Sequence, residues 1–200
     1  SRPSVVALRG DGTTLVGEAA MRRALAEPTR VGREFKRRFG DAAPIVLGGA
    51  RTSAEALTTA LLREVLERVQ QVEGAPPSRV TLTHPAAWGP FRLDKLRAVA
   101  ADAGIEQVDL LPEPVAAALA NADRLADGSL VVVYDLGGGT FDAAVVKVGE
   151  NRIVGTPEGV ERLGGIDIDA LVMAHVDDAT GGLVGEADIA DPDVRSGLAR

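Results

Sequence analysis

Twelve consecutive residues, Val131-Val132-Val133-Tyr134-Asp135-Leu136-Gly137-Gly138-Gly139-Thr140-Phe141-Asp142, carry the groups needed to handle a metal-bound phosphate. An apolar run ends in one acid, turns on three glycines, and returns as a second apolar run with a second acid. Glycine has no Cβ, so its amides can turn inward and approach an anion closely. Thr140 adds a hydroxyl donor. Asp135 and Asp142 repel phosphate but can hold the waters around a magnesium ion, which favours carboxylate and water oxygens. The combination suits a magnesium–nucleotide and not a free anion. A plain β-hairpin with two exposed acids would account for the GGGT turn alone. It accounts less well for a buried apolar strand with an acid on each side of the turn.

Two other phosphate-binding patterns are absent. No GxxxxGK[ST] occurs, and the consecutive glycines lie between two strands, not between a strand and a helix as in GxGxxG. The remaining chemistry is narrowed by composition. The chain has 200 residues and no cysteine, which removes thiolates, disulfides and cysteine zinc sites. His84 and His175 are too few for a histidine-rich metal centre. Aromatic residues at 3% and a net charge of -7 argue against a nucleic-acid partner. No apolar run is long enough to span a bilayer, and residues 1–12 hold no signal-type core, so the expected setting is cytoplasmic. Charge is uneven. Residues 1–40 hold nine Arg and Lys against four acids, whereas residues 150–200 hold eleven acids against four Arg. The basic end would suit an anion, though two solvated faces explain the asymmetry equally simply.

The elements that must position the glycine turn follow a strand–helix rhythm. Ser4–Leu8 and Thr14–Val16 read as short strands, and residues 18–39 as helix broken at Pro28. Thr52-Ser53-Ala54-Glu55 fits a T-x-x-E capping box. The apolar positions Leu57, Leu61, Val65, Leu66, Val69 and Val72 then follow at helical spacing to Gly74. Val80–Thr83 is a strand, Pro90 opens a helix that ends at Gly104, Gln107–Leu111 is a strand, and Pro114 opens a helix over Val115–Ala126. Asp127-Gly128 is a turn and a natural domain boundary. Leu130–Asp135, Phe141–Val148 and Asn151–Gly155 read as strands, with a helix over Asp167–Val176. Trp88 reads as packing.

Four stretches, in order, resemble the 70-kDa heat-shock chaperone (DnaK-type) family. Asp135–Asp142 (DLGGGTFD) resembles its second phosphate motif. Leu15–Ala19 through Lys36-Arg37 resembles its VGxxA…KRxxG segment. Thr83–Ala86 with Leu110–Ala118 resembles its VPA…NEPxAAAL segment, and Leu163–Asp169 its LGGxDFD segment. The resemblance implies an α/β protein of actin-like ATPase fold with two ribonuclease-H-like lobes, both incomplete in this chain. Residues 1–126 would be the first-lobe portion (1–53 outer, 54–126 inner) and 127–200 the second. It implies ATP and ADP with magnesium as ligands, and client proteins and co-chaperones as partners. By the same resemblance Lys36 reaches the transferring phosphate, Glu113 senses the magnesium-bound nucleotide, and Asp135 and Asp142 with Glu113 hold the metal through water. Gly137, Gly138, Gly139, Thr140 and Gly165 approach the phosphates, and Pro85 matches a switch proline. Asp167 and Asp169 read as helix-start acids and not as ligands.

The chain also departs from the family. An arginine is usual where Leu93 sits and an aromatic where Ala87 sits, and Gly89-Pro90 is foreign to it. Arg92 is expected to point elsewhere on its helix, so the relay made by that arginine is not expected here. No counterpart of the family's first phosphate loop, DLGTT, or of its adenosine segment is found. The expectation is therefore an internal piece of an ATPase domain, weak alone, with unpaired edges on Val80–Thr83 and Leu130–Asp135. Two other readings stay open: a sugar or acyl kinase of the actin-like superfamily, and a binding module without turnover.

Overall fold

A computed structural model of the chain describes residues 3–182. The acidic segment from 183 onwards, part of the expected second-lobe portion, lies outside the described residues. Fifteen main elements follow in order. The first part holds β1 (Val6–Leu8), β2 (Thr14–Val16), α1 (Glu18–Ala26), β3 (Val31–Gly32), β4 (Ile45–Leu47), β5 (Ala50–Thr52) and α2 (Ala54–Glu73). Then come β6 (Val80–His84), α3 (Pro90–Asp102), β7 (Val108–Pro112) and α4 (Glu113–Ala120). The last part holds β8 (Leu130–Leu136), β9 (Phe141–Lys147), β10 (Arg152–Val160) and α5 (Gly165–Ala179). The result is mixed α/β with small sheets, ordered β2-β1-β3, β4-β5, β6-β7 and β10-β9-β8. Only β6-β7 is parallel; the ladders in the other three sheets are antiparallel.

Several sequence expectations need correction. After Pro28 the chain is not α-helical. It forms a 3-10 turn (Pro28–Arg30), the two-residue strand β3 and a second 3-10 turn (Phe35–Arg38). Pro28 lacks an amide donor, and Gly32 lies so close to Leu57 that a Cβ there would meet the leucine side chain at 2.9 Å. The segment is thus drawn into the β1 sheet instead of coiling. The cap of α2 is Ser53, whose hydroxyl accepts from the Ala56 amide at 3.1 Å. The expected T-x-x-E box does not form, because Glu55 turns to Lys95 (3.0 Å) and accepts from the Gly40 amide (3.1 Å). The helix expected over Val115–Ala126 starts at Glu113 and stops at Ala120, followed by a 3-10 turn at Ala122–Arg124. Strand β10 runs on to Val160 past an irregularity between Val154 and Glu158.

The main core gathers Val6, Phe35, Phe39, Leu47, Leu57, Leu96 and Val99 between the N-terminal sheets, α2 and α3. Trp88 stacks on Phe39 with ring centroids 4.8 Å apart and adds to this core. A second core lies between α4 and the last sheet, where Val115 and Ala118 meet Val133, Val146 and Ile153. This packing presses one face of β8-β9 onto α4, so the end of that face lies beside the first residue of α4, Glu113.

Among the described residues nothing covers the other face of β8. Leu130, Val132, Tyr134 and Leu136 are all exposed, so the strand is half-buried and not buried on both faces as its composition suggested. Helix α5 has no buried residue, and Leu171 and Val172 stand in solvent. Contiguous apolar surface of this kind drives association. The 200-residue chain should therefore self-associate with rising concentration in light scattering. Val132→Lys with Leu171→Lys should reduce that association without lowering Tm. Unchanged association in the double variant would show that these faces are not its cause.

Candidate functional site

The three glycines close a tight connection between β8 and β9, in which the Gly137 amide donates to the Thr140 carbonyl at 2.9 Å. That amide is therefore engaged inside the turn. The amides of Gly138, Gly139 and Thr140 meet no protein acceptor among the described residues. The turn's carbonyls are taken from outside: the Gly165 amide donates to Gly137 (3.0 Å) and the Ile166 amide to Gly138 (2.9 Å). The first free donors of α5 thus find acceptors in the turn. This seating needs Gly164. A Cβ there would stand 2.5 Å from the Gly139 nitrogen and 2.6 Å from the Gly138 carbonyl carbon, both backbone.

Strand register places the acids. Asp135 lies directly opposite Asp142 across β8-β9, and Asp142 opposite Gly159 across β9-β10. Directly paired residues share a face. Both acids consequently point to the α4 side, as Val133 and Val146 do. A Cβ on Gly159 would lie 2.7 Å from the Asp142 carboxylate, so that glycine leaves the space the carboxylate fills. Burial pushes the Asp142 carboxyl up from its ordinary value, and the neighbouring negative charges of Glu113 and Asp135 push it the same way. The Thr140 side chain and Lys36 oppose them.

Opposite stands the 3-10 turn Phe35–Arg38. Lys36 Nζ lies 2.8 Å from Glu113 Oε1 and is half exposed. Two hollows of about 310 Å3 each meet at Asp142. One is walled by Lys36, Arg37, Pro85, Trp88, Arg92 and Thr140; the other takes in Glu113, Pro114, Asp135 and Pro157. Lys36, Glu113, Asp135, Thr140 and Asp142, up to 106 positions apart in sequence, therefore line two neighbouring hollows that share Asp142. Gly165 is spent on the turn's Gly137 carbonyl, and Asp169 is exposed on α5.

Two cations that the sequence reading passed over cross the same cleft. Arg37 holds Asp167 at two points, and this contact lowers the Asp167 carboxyl below its ordinary value. Arg92 reaches Glu161 at 2.6 Å with its guanidinium 5.8 Å above the Trp88 ring. Arg92 thus faces the residue that follows the last strand. Gly40, with φ +93, leaves room for its stem. The basic character of residues 1–40 was the one sequence signal that could have found Arg37; for Arg92 no pattern gave its direction.

The family model described as "Hsp70 protein" matches residues 43–182, a stretch that takes in Glu113, the glycine turn and Asp167. Lys36 and Arg37 precede it. A "Chaperone protein DnaK" of Elusimicrobium minutum (strain Pei191) is 34% identical over 174 residues, 86% of this chain and 28% of that protein. The chain thus spans 28% of the length of the curated relative it matches.

Gly164→Ala tests the seating of α5. The added methyl meets backbone, which cannot swing aside, so the expected loss is about 1–3 kcal/mol of stability, the usual range for overpacking. Thermal unfolding should show a lowered Tm; an unchanged Tm would mean that the turn and α5 do not depend on this contact.

Proposed function

The chain belongs to the Hsp70 family, and from that membership we propose that it supplies the phosphate and magnesium face of an ATPase cleft in a DnaK-type chaperone. The observation that carries the proposal is the convergence of Lys36, Glu113, Asp135, Thr140 and Asp142 on two hollows that share Asp142, beside three backbone amides that meet no acceptor among the described residues. The donor set suits the ligand. Burial first, and then the negative charges of Glu113 and Asp135, raise the proton affinity of Asp142, and a divalent cation would relieve that charge crowding. Carboxylates of this kind would hold a hydrated magnesium through its water ligands.

Bound magnesium would neutralise phosphate charge and supply oriented water. Asp135, Asp142 and Glu113 would hold those waters in place. The amides of Gly138, Gly139 and Thr140, with the Thr140 hydroxyl, would donate to phosphate oxygens. Lys36 would stabilise charge on the transferring phosphate. Its present partner does not forbid this role. An ion pair with a half-exposed lysine contributes about 0–1 kcal/mol, so an arriving phosphate can displace it. Family membership extends the proposal to unfolded client proteins and co-chaperones as partners, ADP as product, and the cytoplasm as setting.

Steady-state phosphate release by the full-length protein separates this reading from its rivals. Turnover of Mg-ATP without added hydroxyl substrate is expected. Turnover only with a sugar or acyl acceptor would indicate a kinase, and binding without turnover a non-catalytic module.

Asp142→Asn should slow hydrolysis far more than it weakens nucleotide binding, because the carboxylate orients metal-bound water. Lys36→Ala should abolish turnover with ADP affinity nearly intact. Equal losses of rate and affinity would assign either residue to binding alone. Because the folded Asp142 carboxyl is raised, the native state holds its proton longer than the unfolded chain does. Stability from this group falls as pH rises from the ordinary carboxylate value through the raised one. At neutral pH, Asp142→Asn should therefore raise Tm while lowering turnover. In the wild type the acid limb of kcat/KM should move to lower pH as magnesium is increased, since cation and proton compete. A limb insensitive to magnesium would contradict this placement.

A further inference from the structure

Arg37 lies where distant segments meet. Nη1 is 3.1 Å from Asp167 Oδ1 and Nη2 is 2.5 Å from Oδ2, a two-point grip on the first turn of α5. The Arg37 side chain is 14% exposed, against 52% for its neighbour Lys36. Its guanidinium also packs against the glycine turn: a Cβ on Gly139 would stand 2.7 Å from Nε. Nε itself is buried without a hydrogen-bond partner. What fixes the guanidinium is thus the two-point grip on Asp167, a 3.3 Å pair between Nη1 and Glu34 Oε2 at the start of its own 3-10 turn, and the close approach to Gly139.

Asp167 is in turn attached to the phosphate turn. The amides of Gly165 and Ile166 hold the Gly137 and Gly138 carbonyls, and Gly164 is seated on Gly138-Gly139. The start of α5 and the turn therefore shift together. On the other side, Arg37 and Lys36 share one 3-10 turn, anchored by Phe35 in the main core. A short chain of contacts runs from that core through Arg37 and Asp167 to the glycine turn. The second cation across the cleft cannot do the same work. Arg92 holds Glu161 by one contact, and Glu161 is 67% exposed, so solvent screens that pair.

We propose that Arg37 and Asp167 are positioning residues of the phosphate site, a strut that fixes Lys36 opposite the Gly137–Thr140 turn. The phosphate role rests on the function proposed above; the strut itself does not. A planar fork gripping a carboxylate at two points fixes orientation as well as distance. Loss of the strut would leave nucleotide able to bind the turn but would misplace Lys36 relative to the transferring phosphate.

The test uses the full-length protein and three variants: Arg37→Ala, Asp167→Asn and the double variant. Asp167→Asn preserves shape and guards against a failure of Arg37→Ala to fold. Each single variant should lower kcat at least tenfold, while the Kd for Mg-ADP changes less than threefold. The double variant should be no worse than the poorer single one, as for two ends of one link. Arg37→Lys should recover only part of the rate, having lost the fork. In nucleotide-free protein, hydrogen exchange of the Gly165 and Ile166 amides should quicken in every variant while core amides keep their protection. Wild-type kcat in either single variant, parallel losses of kcat and affinity, or multiplying losses in the double variant would overturn the proposal. If the wild type neither binds nor turns over ATP, the functional reading fails, and the exchange measurement alone decides the strut: unchanged exchange refutes it.

Discussion

A contact between two glycine segments governs the cleft. Gly164 presses on Gly138 and Gly139 at a distance that leaves no room for a Cβ, and only then can the first amides of α5 reach the turn's carbonyls. The helix start and the glycine turn are thereby joined through backbone contacts, while the amides of Gly138, Gly139 and Thr140 meet no acceptor among the described residues.

Electrostatics organises the rest. Three cation–carboxylate pairs line the cleft: Lys36–Glu113, Arg37–Asp167 and Arg92–Glu161. They differ in exposure and hence in permanence. The two-point, well-shielded pair serves as structure, and the exposed ones can exchange partners at little cost. The acids that remain, Asp135 and Asp142, face each other across two strands. The upward displacement of the Asp142 proton reflects first the loss of water around it and then the crowding of negative charge. Amides without an acceptor among the described residues on one side and crowded carboxylates on the other are what the proposed phosphate-and-magnesium role would use.

Much of this was legible in the sequence because short-range chemistry carried it. The apolar run, the glycines and the two acids of residues 131–142 dictate a strand–turn–strand, and strand register then brings Asp135 opposite Asp142. The helices α2, α3 and α5 followed from periodicity and from Pro90, Gly74 and Gly104. What failed was set by long-range contact. The charged residues after Pro28 suit a helix, yet the β1 edge and Leu57 draw the stretch into a strand and 3-10 turns. Glu55 left its capping box for Lys95 and Gly40, partners no local pattern names. The apolar composition of β8 suggested burial on both faces, but only the α4 side is covered. Arg37 and Arg92 were invisible as site residues because their partners lie 130 and 69 positions away.

The most direct measurement of the central claim is a titration of the full-length protein with Mg-ATP, read through emission from Trp88, which walls the cleft beside Lys36 and Asp142. The account predicts a saturable change that requires both magnesium and the phosphates, and that is lost when adenosine replaces ATP or when chelator removes the metal. An unchanged signal, or the same change with adenosine alone, would contradict a phosphate-and-magnesium site formed by these residues.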